Sequence, residues 1–109
     1  MKITYANNTI ERICLNPDVY AVKAGLPKNI IDKLKTFLYR VKSFQNCADF
    51  FKPAQQKYQL EKLINKKGLM SIRLDRKYRV TFYEIDKKEI FKFEEIVGIE
   101  IVDISNHYK

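Results

Sequence analysis

The chain has few of the residues that punctuate, staple or ligate. Three glycines and three prolines in 109 residues leave no flexible linker. A single domain over residues 1–109 is therefore expected. The two cysteines, Cys14 and Cys47, lie in helix-like stretches without metal-type spacing and read as free thiols of a reducing cytosol. With His107 as the one histidine and carboxylates scattered, no recognisable metal-ligand set is present, and neither a metal nor a cofactor is expected. No apolar run reaches membrane-spanning length. The opening Met1-Lys2-Ile3-Thr4-Tyr5-Ala6-Asn7-Asn8 lacks the apolar stretch of a signal peptide. A cytoplasmic protein without a membrane partner is the expectation. Gly68 stands alone in Lys66-Lys67-Gly68-Leu69, so there is no glycine-rich phosphate loop. No Ser/His/Asp constellation can be argued either.

Apolar residues are plentiful, at 46%, enough for one core without staples. Positive charge is plentiful too, and unevenly placed. The net charge is +8. Residues 57–79 carry eight Lys/Arg against two Asp/Glu, whereas residues 80–109 carry four against seven. Clustered positive charge on a small domain favours a polyanionic partner, most simply nucleic acid, over a merely solvated surface.

The periodicity changes midway. Lys2 to Tyr5 reads as a short strand. Asn7 to Ala24 reads as helix, broken near Asn16-Pro17-Asp18 because proline cannot donate to a helix interior. Gly25 suits a left-handed C-terminal position, and Pro27 a helix start. From Pro27 to Phe44, Ile30, Ile31, Leu34, Phe37, Leu38, Val41 and Phe44 form one apolar stripe. Ala48 to Phe51 suggests a further helical turn. After Tyr58 the period becomes two. Strands are expected at 58–63, 70–75, 78–85, 89–93 and 96–104, with a hairpin turn at Asp86-Lys87-Lys88. The layout is α+β, with N-terminal helices packed on one face of a mainly antiparallel twisted sheet.

Two arginines stand out in that sheet. In Met70 to Phe82, the apolar Met70, Ile72, Leu74, Tyr78, Val80 and Phe82 alternate with Ser71, Arg73, Asp75, Arg79 and Thr81. If the apolar set shares one face, Ile72 lies opposite Val80 and Arg73 opposite Arg79. The loop between them must then have three residues, Asp75-Arg76-Lys77, because a two-residue loop would split the set between faces. Like charges directly across a strand pair repel. An open face that keeps them is either tolerating a small penalty or holding an anion.

The terminal Asp103-Ile104-Ser105-Asn106-His107-Tyr108-Lys109 follows a strongly strand-like run. A strand there, paired beside 78–85, would bring His107 and Tyr108 to the arginine face. Such a group suits acid–base chemistry on a phosphate ester. Metal-free RNA cleavage uses the adjacent 2′-hydroxyl as nucleophile. It needs one group to take that proton, one to protonate the leaving 5′-oxygen, and cations to hold the charge on phosphorus. His107 and Tyr108 can transfer protons; Arg73, Arg79, Lys66 and Lys67 can hold charge. Asp103 reads as a strand-end hydrogen-bond acceptor.

The ordered segments Leu60-Glu61-Lys62-Leu63, Lys67 to Leu74, Tyr78-Arg79-Val80-Thr81-Phe82 and Ile101 to Tyr108 resemble the HigB branch of the RelE/ParE toxin superfamily. The likeness covers the C-terminal half well and the N-terminal half in layout alone. It implies a RelE-like microbial ribonuclease fold. It also implies a type II toxin that cleaves mRNA on the translating ribosome without a metal. A HigA-type helix-turn-helix antitoxin would neutralise it, in a heterotetramer built on an antitoxin dimer that alone contacts operator DNA. Residue by residue, the resemblance assigns catalytic roles to Arg73, Arg79, His107 and Tyr108. Where many relatives have a His-Pro-Leu-Lys element, this chain has Glu61-Lys62-Leu63-Ile64. Glu61 then takes the base position, and Lys66 or Lys67 supplies the missing lysine's charge; the identity of the general base stays open. Lys62, Lys66, Lys67, Arg76 and Lys77 are the candidate RNA contacts. Two other classes compete: a ParE-like gyrase poison that cleaves nothing, and a basic RNA-binding module without catalysis.

Overall fold

The computed structural model describes residues 1–64, 66–90 and 92–106. It is an α+β protein whose elements run β1 (Lys2–Tyr5), α1 (Asn8–Leu15), α2 (Pro17–Lys23), α3 (Lys28–Ser43), β2 (Glu61–Lys62), β3 (Met70–Arg73), β4 (Tyr78–Glu84) and β5 (Gly98–Asn106). Short 3₁₀ turns lie at Cys47–Phe51, Pro53–Tyr58 and Phe93–Glu95.

The helix boundaries follow from their end residues. The Asn7 side chain accepts the Ile10 N–H at 2.9 Å and caps α1. Pro17 opens α2 directly after Asn16, so the expected break becomes two helices. Gly25, at φ +83°, takes the left-handed position that lets the Leu26 N–H reach back to the Ala21 carbonyl. Helix α3 buries the whole apolar stripe from Ile30 to Val41. Behind it Phe50 forms the hub of the core. Its ring centroid lies 4.9 Å from that of Phe44, 6.0 Å from Tyr58, 6.1 Å from Phe37 and 6.2 Å from Phe82.

The five strands form one mixed sheet in the order β1-β5-β4-β3-β2. Strand β1 runs parallel to β5, and the other three pairings are antiparallel. Ile72 lies opposite Val80 and Arg73 opposite Arg79, the register that the apolar pattern required. The Leu74 N–H donates to the Tyr78 carbonyl at 2.9 Å, leaving Asp75-Arg76-Lys77 as the loop. Asp75 closes it by accepting the N–H groups of Lys77 at 2.8 Å and Tyr78 at 2.7 Å.

Two expected strands differ. Residues 58–63 contribute only Glu61–Lys62, because Tyr58 ends a 3₁₀ turn and Gln59 sits at φ +47°. No described residue of 89–93 lies in a strand. Both edges of β4 are already taken, by β3 and β5, and the Ile85 N–H donates to the Gly98 carbonyl. The buried Glu84 carboxylate also folds the chain away by accepting the N–H groups of Asp86 and Lys88 at 3.0 and 2.9 Å. The turn lies at Ile85-Asp86 rather than at Asp86-Lys87-Lys88, closed by the Lys87 N–H on the Glu84 carbonyl, and it leads out of the sheet rather than into a hairpin.

Candidate functional site

The uncovered sheet face is organised in rows. Arg73, Arg79 and Ser105 make one row across β3, β4 and β5. Glu61, Ser71, Thr81 and Asp103 make the next, across β2 to β5. Tyr83, Glu100 and Thr4 follow in a third. The face is less open than the alternation implied, since Ser71 and Thr81 are buried at its floor.

Arg79 lies across that floor. Its Nη1 donates to Glu61 Oε1 at 2.8 Å and to Ser71 Oγ at 3.3 Å. The Arg79 side chain is 15% exposed and that of Glu61 is 52% exposed. A planar guanidinium pinned at one nitrogen still presents donors from the others. Glu61 therefore neutralises Arg79 in part and offsets the repulsion expected between the facing arginines. Arg73 behaves differently. Among the described residues, its side chain has no ion-pair or hydrogen-bond partner. It lines a cleft of about 440 Å³ at the edge of the sheet, between α3, the Pro53–Tyr58 turn and the β3–β4 hairpin. Lys33, Lys57 and Arg76 line the same cleft, with Asp32 and Asp75.

The remaining candidates divide. Lys62 stands opposite Met70, on the helix-covered side, where its Nζ donates to the Ile90 carbonyl at 2.9 Å and lies 4.9 Å from the Phe93 ring centroid. It does not join Arg79. Lys67 pairs with Glu89 at 3.3 Å, and Lys66 is exposed in the same loop. Gly68, at φ +79°, takes a left-handed turn there beside the Tyr83 ring. Arg76 and Lys77 are exposed at the hairpin tip. Asp103 Oδ1 accepts the Ile104 N–H at 2.9 Å, an acceptor as expected, but inside β5 rather than at its end. His107 and Tyr108 lie outside the described residues. Strand β5 does pair beside β4 as required, and it reaches Asn106 opposite Tyr78, one step beyond the Arg79–Ser105 pair.

Three participants escaped the sequence reading. Ser71 looked like one of several small polar strand residues, and only the register shows it beneath Arg79. Lys33 and Lys57 sat among many lysines, with nothing to mark them as neighbours of Arg73.

Other chemistries find less support. Burial pushes both the Cys14 and the Cys47 thiol up to about 12, so neither supplies a thiolate near neutral pH. Among the described residues, no three His, Cys, Asp or Glu side chains gather as a ligand set. No helix among them is long and apolar enough to cross a membrane. The sequence matches no protein-family model and no curated protein. The reading of the site therefore rests on its own geometry: a part-buried arginine held by a carboxylate and a hydroxyl, with a second, uncommitted arginine beside it.

Proposed function

We propose that this protein is a HigB-type toxin of the RelE/ParE superfamily, a metal-independent endoribonuclease that cleaves mRNA on the ribosome. The observation that carries the reading is the Arg73–Arg79 register pair with Glu61 bonded to Arg79. It supplies charge stabilisation and a proton acceptor on one sheet face, next to the strand end that leads to His107 and Tyr108.

In this mechanism the scissile phosphate displaces Glu61 from Arg79 and is held by the two guanidiniums. The freed Glu61 carboxylate takes the proton of the 2′-hydroxyl as its oxygen attacks phosphorus. The bond from phosphorus to the 5′-oxygen breaks, and His107 or Tyr108 protonates that oxygen. The products are a 2′,3′-cyclic phosphate and a 5′-hydroxyl end. The arginines do their main work when charge builds on phosphorus, where fixed donors are most effective. A HigA-type antitoxin is the proposed neutralising partner, and the cytoplasm the proposed location.

Induced expression tests this. Growth arrest with cleavage inside translated transcripts is the expected outcome, and Arg79→Ala should lower cleavage by about 10²–10³-fold, the effect of losing one charge-stabilising donor. His107→Ala should lower it by about 10²–10⁴-fold if it is the acid. Intact transcripts with broken chromosomal DNA would favour gyrase poisoning instead. An Arg79→Ala protein of undiminished toxicity would remove the site assignment.

A further inference from the structure

We propose that the cleft at the β3 edge is a nucleotide subsite, binding the RNA residue adjacent to the scissile phosphate. The proposal rests on the ribonuclease reading above. Four cations reach this cleft from four separate segments: Lys33 from α3, Lys57 from the 3₁₀ turn, Arg73 from β3 and Arg76 from the loop. Against them stand two carboxylates, Asp32 and Asp75, leaving a net positive cleft. Gathering like charges is unfavourable in a free protein and becomes favourable once an anion is shared among them.

Asp75 keeps its negative charge, and its Oδ1 is turned to the N–H groups of its own hairpin. Burial works against its charged form, but the N–H groups of Tyr78 and Lys77, with Lys33 and Lys77 nearby, outweigh this and hold the carboxyl below its usual range. It is a fixed anion on the hairpin side. The phosphate position is therefore on the opposite wall, between Arg73 and Lys57. The cleft is also more than a charged patch. Its volume of about 440 Å³ falls in the range of small-ligand sites. Leu74 and Tyr58 give it a buried apolar floor on which a base can lie, and Gln59 and Thr36 add polar edges.

Arg73 connects the two places. Its Cα pairs with that of Arg79 on the uncovered face, and the same residue borders the cleft. Directly opposed strand residues stand about 5 Å apart. An RNA strand whose scissile phosphate rests on Arg79 has the cleft within one nucleotide's reach, past Arg73. An acidic polypeptide could satisfy the cations, but this continuity with the phosphate site favours RNA.

The test compares a non-cleavable 2′-O-methyl hexanucleotide with a 2′-O-methyl dinucleotide, by fluorescence anisotropy at several salt concentrations. The variants are Lys33→Ala/Lys57→Ala, Lys57→Glu and Arg79→Ala. Lys33 and Lys57 are exposed, and a thermal melt of each variant checks that it folds. The double variant should bind the hexanucleotide about 10-fold more weakly, with the salt slope reduced by about 0.7 for each phosphate that is no longer neutralised. A dinucleotide brings the base but no phosphate to lie between Arg73 and Lys57, so its binding should weaken by less than that of the hexanucleotide, and Lys57→Glu should weaken hexanucleotide binding further. Hexanucleotide affinity that survives in the double variant but falls in Arg79→Ala overturns the subsite and leaves the cleavage site standing. A wild-type protein that binds neither RNA overturns both. If deca-glutamate binding is lost in the double variant while hexanucleotide binding is not, the cleft is a dock for acidic polypeptide and the nucleotide assignment fails.

Discussion

Replacing Glu61 by glutamine removes one negative charge from beside Arg79 and keeps the side chain's size. Two opposite effects follow from the geometry. The 2.8 Å contact joins a part-buried guanidinium to a half-exposed carboxylate. Exposed pairs contribute about 0.2–1 kcal/mol, and charge-assisted hydrogen bonds about 1.5–3 kcal/mol. With Glu61 half in solvent, about 1 kcal/mol is a fair value. Glu61→Gln should therefore lower the melting temperature by about 4–8 °C for a domain of this size. The same about 1 kcal/mol no longer opposes a phosphate at Arg79, so a non-cleavable RNA should bind about 5-fold more tightly. Cleavage should move the other way, falling by about 10²–10⁴-fold because the proton acceptor is gone. Anisotropy with a 2′-O-methyl RNA and single-turnover cleavage on programmed ribosomes read the two effects separately. Weaker RNA binding would show that Glu61 does not compete with phosphate. An unchanged cleavage rate would show that it is not the base.

Asp75→Ala removes the acceptor for two hairpin N–H groups and should cost about 1 kcal/mol near neutral pH. The Asp75 carboxyl is held below its usual range in the folded protein. Its contribution is thus fully present above the unfolded value near about 3.9. It is lost as pH falls through the folded value, so the stability gap to Asp75→Ala in urea should narrow below about pH 4. A gap that stays constant down to about pH 2 would refute this role. Phe50→Ala empties the hub between α3 and the sheet and should cost about 3–5 kcal/mol in urea unfolding. A loss below about 1 kcal/mol would mean that the four neighbouring rings close the space.

The sequence was most informative where one physical rule dominated. Period-two alternation over 70–82 determined the register, because any other pairing buries Arg73 or exposes Ile72. Pro17 and Gly25 likewise marked helix ends through the backbone conformations they allow or forbid. The reading failed where a tertiary partner decided. The 89–93 stretch alternates well enough to pair, but β5 had taken the available edge of β4. Lys62 carries the charge of an RNA contact, yet its position opposite Met70 sends it to the Ile90 carbonyl. The cleft beside Arg73 was invisible for a similar reason. It joins residues from positions 33, 57, 73 and 76, and no local pattern connects them.

The place of β5 has a consequence for how the protein comes to be. Although it is the last of the five strands to be synthesised, β5 sits between the first strand and β4. Until residues 98–106 leave the ribosome, β1 has no partner and β4 keeps a bare edge. Pairing strands as far apart in sequence as β1 and β5 closes a long loop and is intrinsically slow. Ser105, which completes the arginine row, arrives in the same segment. Arg73 and Arg79 can thus face each other on the β3–β4 hairpin before Ser105 joins their row, and a partner that captures the free edge of β4 or β1 during that interval would keep the sheet from closing.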